Sequence, residues 1–252
     1  MPSAAAALPA CVAMFWDGRF DPQVRRVTAA INGAYAARHG YTFHGEALLG
    51  LYDHWRDIRT VKFGLMLRLL RSGRQGTRKL KEWGARSLLA TDLFADGAWR
   101  SSAEIRRGEV PRWRCPYVIF LDADAHIRPE RFHWPLEGLL RRLAPGGPEA
   151  AGRVEFVAAD DDAHRAPPDL NTGVLIAKAA ALPMRILEEA SDENSPHPNC
   201  LAPKPNADQA CLSAVLRHRL GRDLSLYPAR SGGRVLVAGH EALQCSEESV
   251  VE

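Results

Sequence analysis

The sequence predicts an α/β fold with a mixed, mostly parallel central sheet flanked by helices. Three observations predict it. Tyr117–Leu121 (YVIFL) is a continuous apolar run with β-branched and aromatic members, the pattern of a strand buried on both faces. Ala10–Trp16, the helical spacing that follows Asp21, and Tyr41–Phe43 make a β-α-β unit of the kind that forms half of a nucleotide-binding sheet. Later, short apolar runs at Val154–Ala158, Val174–Ala177 and Val235–Ala238 alternate with helical patterns at Ala181–Ser191 and Ala207–Leu216.

Each element has a local reason. Asp17-Gly18 is a turn-forming pair that ends the first strand, and Asp21 with Pro22 supplies a cap and a first-turn residue. Val24, Val27, Ala30, Ile31, Ala34 and Tyr35 then recur at helical spacing until Gly40. A second helix spans His54 to Leu70, with Trp55, Ile58, Val61, Leu65 and Leu69 on its apolar face. Lys62 lies within that face and reads as a snorkelling surface residue. Residues 71–114 lack a core pattern and are expected to be an insertion with one helix over Lys79–Phe94. Pro129–Leu143 is expected to be a helical cover, and Ala144–Gly152 (APGGPEAAG) a turn-rich break. Asp192–Pro205, rich in Pro, Asn and Ser, reads as a loop. The whole chain, 1–252, is read as one domain with room for a sizeable core.

Charge and cysteine usage set bounds. A net charge of +3 and a pI of 8.7 suit an anionic small ligand or a polysaccharide surface as well as nucleic acid, so charge alone selects no partner. The five cysteines contain no C-x-x-C spacing for zinc or thioredoxin-like chemistry. They are expected to be mostly buried thiols, with a Cys200–Cys211 disulfide as the alternative in an oxidising lumen. The apolar start, MPSAAAALPACVAMFW, has no positive flank and is too short to span a bilayer.

The chemistry concentrates where the central strand ends, at Asp122-Ala123-Asp124. Alternate residues on an extended backbone point the same way, so both carboxylates are expected to converge just beyond the strand, where open α/β sheets bind ligands. Two converging carboxylates repel unless a cation lies between them, and hard oxygen ligands suit Mg(2+) or Mn(2+). The competing reading is a strand-ending turn with solvated acids. Asp160-Asp161-Asp162 reads either as a second metal site or as a solvated, acceptor-side loop. In LNTGVLIAK, Asn171 either reads a sugar hydroxyl or closes a turn through its own backbone, and Gly173 permits a geometry that a β-carbon would resist. Asp208 suits the positive end of its helix without any catalytic role, whereas Gln209 beside it has less of a structural reason. His240, at the end of the last strand, is either a plain surface histidine or a nitrogen ligand for the same metal.

HGYTFH, YVIFLDADA, LNTGVLIAK with NADQACL, and VLVAGH follow one another in an order that resembles glycosyltransferase family 34, the galactosyl- and xylosyltransferases of fungal and plant polysaccharide assembly. The resemblance runs thinly from Phe15 to Leu243. It implies a GT-A, Rossmann-like catalytic domain that uses Mn(2+) and a UDP-sugar donor. By resemblance, Asp122, Asp124 and His240 are the metal ligands, and Asn171 with Gly173 flanks the donor sugar. Asp208 and Gln209 match the acidic-amide pair beneath the anomeric carbon, and Lys62 comes near the donor phosphate or the acids. The implied reaction retains configuration by front-face attack, and the implied partners are a nucleotide-sugar and a glycan acceptor rather than nucleic acid. Such enzymes work in the Golgi lumen behind an anchor, so the expectation is a lumenal domain whose anchor lies outside this chain, or else a cytoplasmic enzyme. Two rival classes stand beside it. One is a metal-dependent phosphohydrolase or nucleotidyltransferase, and the other an inactive carbohydrate-binding protein on the same scaffold.

Overall fold

The computed structural model describes residues 9–17, 21–49, 55–71, 86–88, 115–161, 169–192, 195–201 and 207–238; His240, Asp162 and residues 72–85 and 89–114 lie outside them. Strand β1 (Ala10–Asp17) leads into α1 (Pro22–Arg38). The helix starts where expected, because the Asp21 carboxylate accepts the N–H groups of Gln23 and Val24 at 2.7 and 3.3 Å. Gly40, at φ 67°, then turns the chain into β2 (Thr42–Leu49). Helix α2 (Trp55–Leu70), β3 (Arg86–Leu88), β4 (Tyr117–Leu121), α3 (Leu136–Leu143) and α4 (Gly147–Arg153) follow. After them come β5 (Phe156–Asp161), β6 (Asp169–Lys178), α5 (Ala181–Ser191), α6 (Pro198–Leu201), α7 (Ala207–Leu220), α8 (Tyr227–Arg230) and β7 (Val235–Ala238).

The strands form one sheet in the order β3-β2-β1-β4-β6-β5-β7. Strands β1, β2, β4, β5 and β7 point one way, and β3 and β6 the other, so the expected mixed, mostly parallel sheet is present. Alternation along the strands divides the core into two layers. Val12, Met14, Ile119, Leu121, Val174 and Ile176 pack with α1, α3 and α4, whereas Cys11, Ala13, Val118, Phe120, Leu175 and Ala177 pack with α2, α5 and α7. Because both faces are covered, β4 is apolar at every position and fully buried.

The pairing of β5 with β6 slips from Ala158–Leu175 to Ala159–Asn171, a bulge that leaves Thr172, Gly173 and Val174 unopposed on β5. The slip lets Thr172 share the α2 and α7 face with Leu175, although an unbroken alternation would send the two to opposite sides.

Several local expectations differ from the structure. Arg86–Leu88 pairs with Ala47–Leu49 as an edge strand, so the helix expected over Lys79–Phe94 is not formed there. Asp160 and Asp161 extend β5 and pair with Leu170 and Asp169 rather than forming a loop. The turn-rich break at 144–152 contains α4: Gly146, Gly147 and Pro148 occupy its cap and first turn, where helices tolerate them, and Ala150 and Ala151 anchor it to the core. Pro135 divides the expected helical cover, leaving a short 3-10 turn at Pro129–Arg131 and α3 beyond it. Cys200 and Cys211 form the disulfide weighed as an alternative, and Cys11 and Cys115 form a second one that spacing did not suggest.

Candidate active site at the carboxyl end of the central strand

Asp122 is the first residue beyond β4. Its N–H donates to the Gly173 carbonyl at 2.8 Å and adds one rung to the β4–β6 ladder, and its side chain continues the Val118, Phe120 series toward α2 and α7. Here the extended backbone ends. The Ala125 N–H donates to the Asp122 carbonyl at 3.0 Å, so Asp122 to Ala125 is a turn rather than the extended tripeptide expected. Asp124 is exposed on it, near enough for its charge to act on Asp122.

Helix α1 holds this turn by its backbone. Thr28 Oγ1 donates to the Ala123 carbonyl at 2.7 Å, and Asn32 Nδ2 donates to the Ala125 carbonyl at 3.0 Å while its Oδ1 accepts the Ile127 N–H at 3.1 Å. Both side chains are fully buried. They stand four residues apart, hence on one face of α1, and that spacing of two polar residues in an inward face was the signal available in the sequence.

The main correction concerns Lys62. It is 3% exposed, not snorkelling, and its ammonium lies 3.2 Å from Asp122 Oδ1, 2.5 Å from Asp208 Oδ2 and 2.9 Å from Thr172 Oγ1. The Thr172 hydroxyl in turn donates to Asp208 Oδ2 at 2.6 Å. Asp208 is 9% exposed, whereas the Asp122 side chain keeps 37% of its surface accessible. A lysine has three donors and no acceptor, and here carboxylates and a hydroxyl receive them.

The charges shape one another. Burial works to lower the Lys62 ammonium's pKa, but Asp122 and Asp208 outweigh it and the net shift is upward. For Asp208, burial opposes ionisation, yet Lys62, the Thr172 hydroxyl and the Gln209 N–H together hold it below the usual carboxylate range. Asp122 is pushed up to about 6, first by desolvation and then by the negative charges of Asp208 and Asp124, against the pull of Lys62. The signs differ accordingly. Protonated Asp122 contributes stability that is full below its unfolded value of 3.8 and lost as pH rises through about 6. Ionised Asp208 contributes stability that is lost only as pH falls below its ordinary range.

Of the other residues expected at the site, Asn171 uses its Oδ1 to accept the Gly173 N–H at 2.7 Å, which is the turn-closing reading. Gly173 serves through its carbonyl on Asp122. Gln209 is half-buried in the first turn of α7, and His240 lies outside the described residues. A cavity lined by Tyr35, Leu121, Arg128, Trp134 and Val174 belongs to the opposite layer of the core and contains none of the Lys62 cluster.

The donor set suits a divalent cation. Asp122 and Asp124 offer accessible carboxylate oxygens from one turn, the ligand type of Mg(2+) and Mn(2+). Asp122 and Asp208 meet the one Lys62 ammonium and Asp124 stands near Asp122, so the three acids leave two negative charges uncompensated when all are ionised.

No protein-family model matches the chain, and no relative is found among curated protein sequences. A solved structure does match it: a glycosyltransferase involved in the glycosylation of the major capsid of PBCV-1, with a TM-score of 0.50 and 12% identity over 92% of this chain and 83% of that one. The two chains share a fold. In this fold the Lys62 cluster sits at the carboxyl end of β4, where open α/β sheets take their ligands. Among the described residues no helix is long and apolar enough to cross a membrane.

Three outcomes are expected. Lys62→Met leaves the buried Asp208 carboxylate without its cation and should lower unfolding free energy by about 3–5 kcal/mol in denaturant titrations. Carboxyl NMR of the metal-free protein should place the Asp122 midpoint near 6 and move it higher in Lys62→Met, because the lysine is what pulls it down. Asn32→Ala should cost about 1–3 kcal/mol by stranding the Ala125 carbonyl and Ile127 N–H, and a stability unchanged by it would separate α1 from the acidic turn.

Proposed function

We propose that this chain is a metal-dependent glycosyltransferase that moves a hexose or pentose from a UDP-sugar to a hydroxyl acceptor on a glycan. The observation that carries the reading is the accessible Asp122–Asp124 turn at the mouth of a glycosyltransferase-type sheet, cross-tied through Lys62 to Asp208. Asp122 and Asp124 would hold Mn(2+) or Mg(2+), with His240 as a third ligand by the family 34 resemblance. When bound, the cation supplies Lewis-acid neutralisation of the diphosphate leaving group.

The chain's own residues supply the rest. Lys62 keeps Asp208 ionised and fixed in direction, and Thr172 fixes it further. Tied to Lys62 and Thr172, Asp208 is a weakened nucleophile, which supports a non-covalent, positioning role over covalent attack. Gln209, next along the first turn of α7, would accompany it. This agrees with the retaining, front-face course that the resemblance implies. Asp122, half of the metal pair, shares its ammonium with Asp208, so metal binding and the orientation of Asp208 are mechanically linked. The remaining task is to hold the acceptor hydroxyl close, a proximity contribution of several kcal/mol.

The deciding experiment compares UDP binding with and without Mn(2+) in the parent and in Asp124→Ala. Asp124 is exposed and makes no hydrogen bond or ion pair among the described residues, so the variant should fold normally while losing metal-dependent UDP binding and transfer. Retention of both by the variant would end this proposal.

A further inference from the structure

At the opposite end of the sheet from the acids, three side chains that are far apart in sequence meet. Cys11 is the second residue of β1, Cys115 stands just before β4, and His44 lies on β2 opposite Ala13, so the parallel register of β1 with its two neighbours brings them to one place. A sulfur from each cysteine and a ring nitrogen of His44 all lie within 4.8 Å of one another. The cysteines are 3% and 1% exposed, and His44 is half-buried with its Nε2 shielded from solvent. In the structure the two sulfurs are joined as a disulfide. The Cys200–Cys211 pair has no comparable third ligand among the described residues.

We propose that Cys11, Cys115 and His44 form a thiophilic metal site, with zinc as its resident, whenever the chain folds with these cysteines reduced. A disulfide needs no imidazole beside it, whereas two thiolates and one imidazole are a donor set that selects zinc over hard cations. The lack of a C-x-x-C spacing hides the site in the sequence, because the sheet and not a local loop supplies the ligands. Three protein ligands leave one tetrahedral position for water.

The two states are related by a balanced exchange. A dithiol reductant delivers two electrons and two protons, becomes a disulfide itself, and breaks the Cys11–Cys115 bond to give two thiols. Zinc then displaces those two thiol protons to solvent, and neutral His44 gives a ring-nitrogen lone pair. Since both sulfurs are buried, the choice between bond and metal is made as the chain folds rather than on the finished sheet.

The test is to produce the full chain under reducing conditions with zinc, and to count metal by elemental analysis and free thiols by alkylation under native and denaturing conditions. One zinc per chain is expected in the reduced parent and in the Cys200→Ser, Cys211→Ser double variant, and none in the oxidised parent. His44→Phe and Cys115→Ser should each lose it, and chelation should lower the Tm of the reduced parent but not of His44→Phe. Zinc content unaltered by His44→Phe, or a folded reduced parent that takes up no zinc, would overturn the proposal. Should Cys115→Ser fail to fold, cobalt(II) substitution decides. A sulfur-to-cobalt absorption band that changes in His44→Phe supports the site, and a band indifferent to it refutes the site.

Discussion

A single buried ammonium holds the site together. Lys62 reaches across from α2 to an acid on the end of β4, a hydroxyl on β6 and an acid on the first turn of α7. Taking the Lys62 and Asp208 charges out of water costs several kcal/mol per ion, and the mutual attraction offsets that cost only when the partners are close and hydrogen-bonded. The four elements are therefore constrained to one arrangement at the mouth of the sheet. The β5–β6 bulge is part of the same constraint, since it brings Thr172 to the side where Lys62 and Asp208 stand.

The two faces of the sheet divide the work. On one, α1 fixes the backbone of the acidic turn through Thr28 and Asn32 without adding any charge. On the other, α2 and α7 bring the ammonium and the second buried acid. Asp122 belongs to both systems. Its backbone is in the sheet ladder and the turn, and its carboxyl lies between Lys62 and solvent, so it can answer a cation arriving from outside while still bonded within. The upward shift of that carboxyl comes first from its desolvation, and the negative charges of Asp208 and Asp124 add to it against the pull of Lys62.

Much of this architecture was legible in the sequence. The strand at Tyr117–Leu121, the helix cap at Asp21, the helix at Ala181–Ser191 and the last strand at Val235–Ala238 all follow from local pattern, and the structure has them within a residue or two of those bounds. What local pattern missed depends on distant partners. Arg86–Leu88 becomes a strand because β2 offers it an edge, and α4 forms because two alanines find the core. Lys62 was misread for the same reason: on a helix considered alone, a lysine in an apolar face is best placed with its head in water, and only the return of β4 and α7 supplies acids to receive it inside. The Cys11–Cys115 contact is likewise a property of sheet register, not of spacing.

The most direct measurement is a crystal of the protein grown with Mn(2+) and UDP, with anomalous data collected at the manganese edge. The peak should lie within coordination distance of Asp124 and Asp122, beside the diphosphate, with Lys62 still bridging Asp122 and Asp208. A manganese peak remote from the acidic turn, or a Lys62 ammonium standing in solvent away from both carboxylates, would contradict it.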